Sequence, residues 1–364
     1  MTLRPSVHFF LSTLLGFASS LYAVTTFAFP ADFDGDGKSD PTVWRGSTGI
    51  WYVKASSGTC PSQMTSIGGA GCQLQWGGSA FGDQPISGDF DADGKSDFIV
   101  IRPEYEPSPA YGSPRVMKRW YIRYSSGPVY IIVGFGDLSD IADEADRDQN
   151  GYSDMLVYRP SVAGSFKFRV REFTLPGTIS IYDTFGYNPP SGASYGSPID
   201  PISKDYGSLG GPVSNPEAAA YLRIINYTPS NNRTVWSLTP RGGAPLYQQD
   251  DSSVPFSDVV APGNFGGGTG AELVLWRGSS GNWRIRYLEG GLPDQNIQWG
   301  LSGDIPIAGD FIMGDGVNEP TVWRPSEGNW YVKPNGTTCP PNFSYVGWGA
   351  CTLQWGLNGD VPIS

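Results

Sequence analysis

The sequence predicts an all-β fold, a β-propeller of about six four-stranded blades with calcium-binding loops, and three observations predict it. A short apolar segment introduced by an Asp and followed by a polar, mostly acidic loop recurs six times, with loops starting at Asp32, Asp89, Asp146, Asp205, Asn264 and Asp310. The starts lie 57, 57, 59, 59 and 46 residues apart, and an internal period near 50 outweighs the two or three domains that length alone suggests. Between the loops run short segments rich in β-branched and aromatic residues, separated by Gly/Ser turns. Glycine (49) and proline (31) are abundant, charged residues make up 16% and aromatics 13%, a balance that fits many short strands and excludes disorder.

The unit is clearest at Gly82–Pro103, reading GDQPISGDFDADGKSDFIVIRP. An apolar strand (Pro85–Ser87) leads into carboxylates at Asp89, Asp91, Asp93 and Asp97, and a second apolar run ends at Arg102. Repeats are placed near 32–88, 89–145, 146–204, 205–263, 264–309 and 310–364. Each holds three strands plus the short segment ahead of the next loop, and four-stranded units repeated radially make a propeller. Unit one has Thr42–Arg45, Ile50–Lys54 and Gln73–Gly77. Unit two has Phe98–Arg102, an insertion rich in Pro and Tyr (Glu104–Pro114), Arg119–Tyr124 and Val129–Gly134. Unit three has Met155–Pro160, Phe166–Glu172 and Thr178–Phe185. Unit four, the most divergent, follows a Pro/Gly/Ser stretch (Asn188–Pro198) and has Ala218–Asn226, Thr234–Leu238 and Pro245–Gln248. Unit five has Leu273–Arg277, Asn282–Tyr287 and Ile297–Gly300; unit six has Pro320–Pro325, Asn329–Lys333 and Thr352–Gly356.

The final residues, Gly359 to Ser364, match the segment that elsewhere precedes a loop, so they are expected to add a strand to unit one and close the ring, removing an open edge. Phe27–Ala31 is the competing source of that strand. Residues 1–28, with Arg4, the apolar run Phe9–Leu15 and small residues before Ala23 and Ala28, read as a secretory signal peptide cleaved after Ala23 or Ala28. A membrane anchor is the competing reading, but the run is shorter than the roughly 20 residues a span needs. The protein is therefore expected to be secreted or at the cell surface. Removing the segment takes away Arg4 and no acid, moving the net charge from −11 to about −12. With no basic cluster, nucleic acid is excluded as a partner.

The four cysteines form two copies of one pattern, Cys60 with Cys72 and Cys339 with Cys351, each pair enclosing eleven residues and followed shortly by Leu-Gln-Trp-Gly. Even count, matched spacing and an export signal favour two local disulfides. Structural zinc sites use closer pairs and histidine.

In Asp32-Phe-Asp34-Gly-Asp36-Gly37-Lys38-Ser-Asp40, carboxylates occupy positions 1, 3, 5 and 9, a glycine at 6 allows a sharp turn, and the Lys38 carbonyl stands at 7. Asp89, Asp91, Asp93, Lys95 and Asp97 repeat the pattern, as do Asp146, Asp148, Asn150, Tyr152 and Asp154. Such a flexible, oxygen-rich cage suits Ca²⁺, whereas Mg²⁺ demands stricter octahedral geometry. Position 12 is Val43, Val100 and Val157 instead of a bidentate Glu, and strands follow, so this is no helix-loop-helix hand. Solvated Asp/Gly turns are the alternative, and they are the expectation for units four to six, where Gly207, Gly266, Gly268, Ile312 and Gly314 replace ligands. Asn264 with Glu272, and Asp310 with Asp315, read as remnants.

The phrase GDFDADGKSDFIVIRP, with WYV and QWG following in units one and six, resembles the FG-GAP (VCBS-type) repeats related to the N-terminal propeller of integrin α chains. The resemblance covers nearly all the chain after residue 28 and is specific in units one to three. It implies one blade per repeat, with Ca²⁺ held in the hairpin between the first two strands; six blades is one fewer than the seven of integrin-like members.

Trp44, Trp276 and Trp323, each followed by an Arg (Arg45, Arg277, Arg324), with Arg102 and Arg159 in the matching place, are expected to pack between blades and to bridge strands. The alternative is a ring of ligand-binding groups. Trp51, Trp283 and Trp330, and Trp76, Trp299 and Trp355, are read the same way, exposed ones being candidates for sugar stacking. Catalysis is constrained by His8, the only histidine, which lies in the signal segment. Loss of that segment excludes Ser-His-Asp, Cys-His and His-zinc arrangements, and no unmatched carboxylate pair for glycoside hydrolysis stands out. The expected function is a secreted Ca²⁺-binding module for an extracellular protein or glycan, through analogy with the family. A lectin or a carbohydrate-active lyase or hydrolase is the alternative.

Overall fold

The computed structural model describes residues 31–107, 114–145, 151–159, 166–173, 179–187, 200–202, 221–228, 231–238, 247–251, 258–261, 263–267, 272–287, 292–334, 338–347 and 349–363. Residues 1–28, read from sequence as a signal peptide, lie outside them, as do Asp146, Asp148 and Asn150 of the third loop and the whole fourth loop. The described chain is all-β, with a single short 3₁₀ turn at Ser79–Phe81 and no helix long and apolar enough to cross a membrane. Its strands form antiparallel sheets, four of four strands and two of five, in a β-propeller arrangement.

Each sheet begins with the segment that precedes a loop. In unit two Gln84–Gly88 pairs with Asp97–Glu106, which pairs with Arg115–Arg123 and then Tyr130–Asp137. Sheets and sequence repeats are therefore offset by one strand: the segment before a loop belongs to the strand after it, because the loop is the turn of that hairpin. Unit one takes its first strand from the other end of the chain. Val361–Ile363 pairs with Thr42–Trp44, as expected of the C-terminal segment, and Phe27–Ala31 is not needed for that place. The insertion of unit two lengthens a hairpin, register holding from Phe98↔Arg123 out to Glu106↔Arg115. In units one and six the cysteine hairpins add a fifth strand, Thr65–Gly68 and Ser344–Tyr345. Both expected disulfides, Cys60–Cys72 and Cys339–Cys351, are formed, and no cysteine is free.

The core lies between sheets rather than within one. Strand alternation sends one row of side chains to each neighbouring sheet. Phe98 and Val100 of unit two accordingly pack with Trp44, Trp51 and Val53 of unit one. Val43 packs with Phe311, Trp323 and Trp330 of unit six, Met155 and Val157 with Trp120 of unit two, and Val322 with Trp276 and Trp283 of unit five. A buried indole must place its N–H, and a repeated solution does so. Trp44 Nε1 and Trp51 Nε1 both donate to the Trp76 carbonyl, at 3.2 and 3.0 Å. Trp276 and Trp283 do the same to Trp299 (3.2 and 2.9 Å), and Trp323 and Trp330 to Trp355 (3.4 and 2.9 Å).

The third tryptophan then crosses the seam. Trp76, Trp299 and Trp355 donate at 3.1 Å to the carbonyls of Tyr121, Tyr331 and Tyr52 in the next sheet. A cation from that strand, or from the residue just after it, lies over each ring: Arg123 over Trp76, Lys333 over Trp299 and Lys54 over Trp355. The tryptophans read from sequence as packing groups are therefore packing groups. The arginines bridge strands, as expected. Arg45, Arg102, Arg277 and Arg324 each form a two-point ion pair with the Asp that opens their sheet, Asp360, Asp83, Asp258 and Asp304, at 2.7–3.0 Å. Those carboxylates are at most 3% exposed, and three of them also accept a turn N–H, from Gly78, Leu301 or Leu357. Asp83, Asp258, Asp304 and Asp360 thus tie a sheet's first strand to its second; the Arg159 side chain lies outside the described residues.

Candidate metal centres

In units one, two, five and six the loops sit at the end of the first two strands of the sheet, opposite the Arg–Asp clamps. Three anchors build them. The Phe at position 2 (Phe33, Phe90, Phe265, Phe311) is pinned against the tryptophan of its own third strand, with ring centroids 6.0–6.5 Å apart. The position-1 side chain closes the loop: Asp32 accepts Gly35 N–H and Gly37 N–H (2.6 and 2.7 Å), and Asp89 accepts Asp93 N–H and Gly94 N–H (3.2 and 2.9 Å). The buried carboxylate at position 9 holds the backbone from below. Asp40 accepts from Phe33, Asp34 and Ser56 N–H (2.9, 3.1 and 2.7 Å), and Asp97 from Phe90 and Ser125 N–H (both 2.8 Å).

With the backbone so held, carboxylate oxygens of Asp32, Asp34 and Asp40 come within 4.8 Å of one another, as do those of Asp89, Asp91 and Asp97. Positions 1, 3 and 9 of the expected ligand sets therefore converge in units one and two. Position 5 does not join them. Asp36 Oδ1 accepts from Lys38 N–H and Ser56 Oγ–H, and Asp93 Oδ1 from Lys95 N–H, so these two aspartates fold the loop back on itself. Lys38 and Lys95 occupy position 7 with their side chains turned toward the preceding loop: Lys95 Nζ donates to the Asp34 carbonyl at 3.1 Å, and the Lys38 stem lies beside Gly314. In unit three Asp154 is fully buried and Tyr152 partly so.

The electrostatics are those of a site lacking positive charge. Burial raises the pKa of Asp97 to about 8, the Asp91 and Asp89 charges adding to it. Burial raises Asp89 to about 6, with Asp93 and Asp91 as further causes. Burial likewise raises Asp32 and, more strongly, Asp40, with Asp34 repelling both. Asp91 Oδ1 is buried with no hydrogen-bond partner. A proton or a cation relieves such a cluster. Three carboxylates and an unpartnered carboxylate oxygen are a hard donor set of the type Ca²⁺ takes, so the residues present fit that ion.

Serine pairs that sequence reasoning passed over complete the geometry. Ser57 donates through N–H and Oγ–H to Asp34 Oδ2 (2.9 and 2.8 Å), and Ser126 Oγ–H to Asp91 Oδ2. The available signal was the repeated Ser-Ser-Gly after the third strand, Ser56–Gly58 and Ser125–Gly127. Glu319 was also missed. It does for unit six what Asp40 does for unit one, accepting Phe311 N–H at 2.9 Å, and burial raises its pKa to about 8. Glu272, read as a remnant ligand, does so for unit five, on Phe265 N–H.

Successive loops interlock. Ser96 N–H donates to the Asp32 carbonyl (2.6 Å) while Asp32 N–H donates to Ser96 Oγ (3.1 Å). Ser153 and Asp89 exchange the same pair, as do Asn318 and Asn264, and Ser39 N–H donates to the Asp310 carbonyl. No family model matches this chain, and no curated protein matches it.

Proposed function

We propose that this chain is a secreted, six-bladed β-propeller that uses Ca²⁺ to stiffen one face and the opposite face to bind a protein partner. Seams between sheets six and one, one and two, two and three, and five and six support a single closed ring. The resemblance to FG-GAP repeats and the expected export signal support its placement outside the cell, where millimolar Ca²⁺ and disulfide-permissive conditions are found. The observation that carries the calcium reading is the convergence of positions 1, 3 and 9 in two successive loops. Asp32, Asp34 and Asp40, and Asp89, Asp91 and Asp97, would hold the ion; bound there, it supplies positive charge that fixes the loop and, through the interlocking serines, its neighbours.

A protein ligand is favoured over a glycan by what each face exposes. Among the described tryptophans Trp44, Trp51, Trp276, Trp283, Trp323 and Trp330 are buried and offer no stacking surface, and the half-buried Trp76, Trp299 and Trp355 each have a cation over the ring. The linkers that precede Asp83, Asp140, Asp304 and Asp360 instead carry an exposed large apolar residue: Phe81 (58%), Leu138 (55%), Leu301 (59%) and Leu357 (54%). A repeated apolar residue ringed by polar groups suits a protein interface. The test is thermal unfolding of the chain with millimolar Ca²⁺, with Mg²⁺ and with chelator. A rise in Tm specific to Ca²⁺ is expected; identical melts in all three would remove the calcium reading.

A further inference from the structure

Ser56–Ser57 and Ser125–Ser126 lie outside the acidic loops, on the turn after the third strand of units one and two. Both turns reach over the loop in the same way. Ser56 N–H and Ser125 N–H bond the position-9 carboxylates Asp40 and Asp97, at 2.7 and 2.8 Å. The following serine bonds the position-3 carboxylate by its hydroxyl, Ser57 to Asp34 and Ser126 to Asp91. The turn thus touches two of the three acids that converge. Its first hydroxyl differs between units: Ser56 Oγ–H reaches Asp36 at 2.8 Å, whereas Ser125, 2% exposed, has a hydroxyl with no partner. Asp91 Oδ1, in the converging set itself, is likewise buried without a partner, and an unpartnered buried oxygen is costly. An oxygen-seeking ion at the three acids would satisfy Asp91.

In units one and two the sequence pairs the turn with the acids. Counting from Trp51 and Trp120, the fifth and sixth residues on are Ser56–Ser57 and Ser125–Ser126; from Trp283 and Trp330 they are Leu288–Glu289 and Asn335–Gly336. Units one and two keep acids at positions 1, 3, 5 and 9, units five and six lack both the serines and the position-3 acid, and unit three keeps Asp146, Asp148 and Asp154 without a Ser-Ser pair after its third strand.

We propose that these serine pairs are the second segment of each cation site, positioning residues that aim the Asp34 and Asp91 carboxylates at a Ca²⁺ and so set its affinity. The inference rests on the calcium reading above. A hydroxyl that donates to one lone pair of a carboxylate leaves the other for the metal and removes the rotation that metal binding would otherwise have to freeze, and losing such an outer partner typically weakens metal binding 10–100-fold.

The test is calorimetric Ca²⁺ titration of the disulfide-bonded chain and of Ser57→Ala and Ser126→Ala, with Ser57→Thr and Ser126→Thr as conservative controls. The backbone donors of Ser56 and Ser125 survive these changes, so the turns remain. Expected is a loss of about 10-fold or more at one site in Ser126→Ala, a smaller loss in Ser57→Ala, where the Ser57 N–H still holds Asp34, recovery with threonine, and melting in chelator close to the parent's. Affinities within about two-fold of the parent would overturn the inference while leaving the calcium sites standing. So would an alanine variant equally destabilised with and without Ca²⁺, which marks a merely structural bond. A parent that binds no Ca²⁺ overturns both readings, and the parent titration alone reveals it.

Discussion

The loops of units one and two and those of units five and six share a scaffold and differ in charge. In all four the Phe at position 2 packs on a tryptophan, and a buried acid accepts that Phe's N–H: Asp40, Asp97, Glu272 or Glu319. Asp310 closes its loop on Gly314 and Gly316 N–H as Asp32 does on Gly35 and Gly37. What units five and six lack is the acid at position 3, where Gly266 and Ile312 stand, and the serine turn above it. The difference teaches that the buried anchor belongs to the fold, while the position-3 acid is what sets units one and two apart. A loop keeps its shape after losing the second because the first is satisfied by backbone alone.

Removing the anchor should have the largest effect, and the same effect in both kinds of loop. Asp97→Ala strands the Phe90 and Ser125 N–H groups, and Glu319→Ala strands that of Phe311; at about 1–3 kcal/mol per unsatisfied buried group, urea unfolding in chelator should show losses of a few kcal/mol for each. Added Ca²⁺ should widen the gap for Asp97→Ala only. A Glu319→Ala chain as stable as the parent would break the claim that the anchors are equivalent.

Removing the position-3 acid comes next and should separate the loops. Asp34→Asn combined with Asp91→Asn is expected to melt like the parent in chelator but to lose the Ca²⁺-dependent increment, about 2.7 kcal/mol per site when the ion stands at 100 times Kd. A double variant that still gains the full increment would place the ion elsewhere.

Seam tryptophans provide a smaller, charge-independent control. Trp299→Phe and Trp355→Phe each delete one hydrogen bond to the next sheet, costing about 1 kcal/mol, and the loss should be the same with or without Ca²⁺. Dependence on Ca²⁺ at either position would mean that the seams and the loops act as one unit.

A pH dependence tests the anchor by its charge: the folded pKa of Glu319 is raised from 4.5 to about 8, chiefly by burial. The folded chain holds this proton more tightly than the unfolded chain does. Its contribution to stability is therefore complete below about pH 4.5 and lost as pH rises toward 8. In chelator, Glu319→Gln should melt with a shallower decline than the parent between pH 5 and 8. Parallel profiles would show that Glu319 is ionised in the fold.

Much of this architecture was legible locally. Period-two patterning, Gly turns and the recurring acidic loop located the strands and the repeat, and paired cysteines eleven residues apart located two disulfides that form. The loop pattern named the acids but not their division of labour. Asp36 and Asp93 each accept the N–H two residues on, from Lys38 and Lys95, as Asp34 accepts that of Asp36, and they stand outside the two converging sets. Glu319 was unreadable as an anchor because its loop is one residue longer than that of unit one, which shifts the acid out of register.

By itself, then, the sequence determined the β-class, the repeat, the disulfide pairs and where the acids cluster, since each depends on residues within a turn or hairpin of one another. Tertiary structure alone decided which acids meet, that Ser57 and Ser126 cover them, that Trp355 reaches Tyr52 across 303 positions and that Asp360 clamps Arg45 across 315. These are contacts between neighbouring sheets or between strands brought together by the ring, and no local period encodes a distance that only closure of the chain makes short.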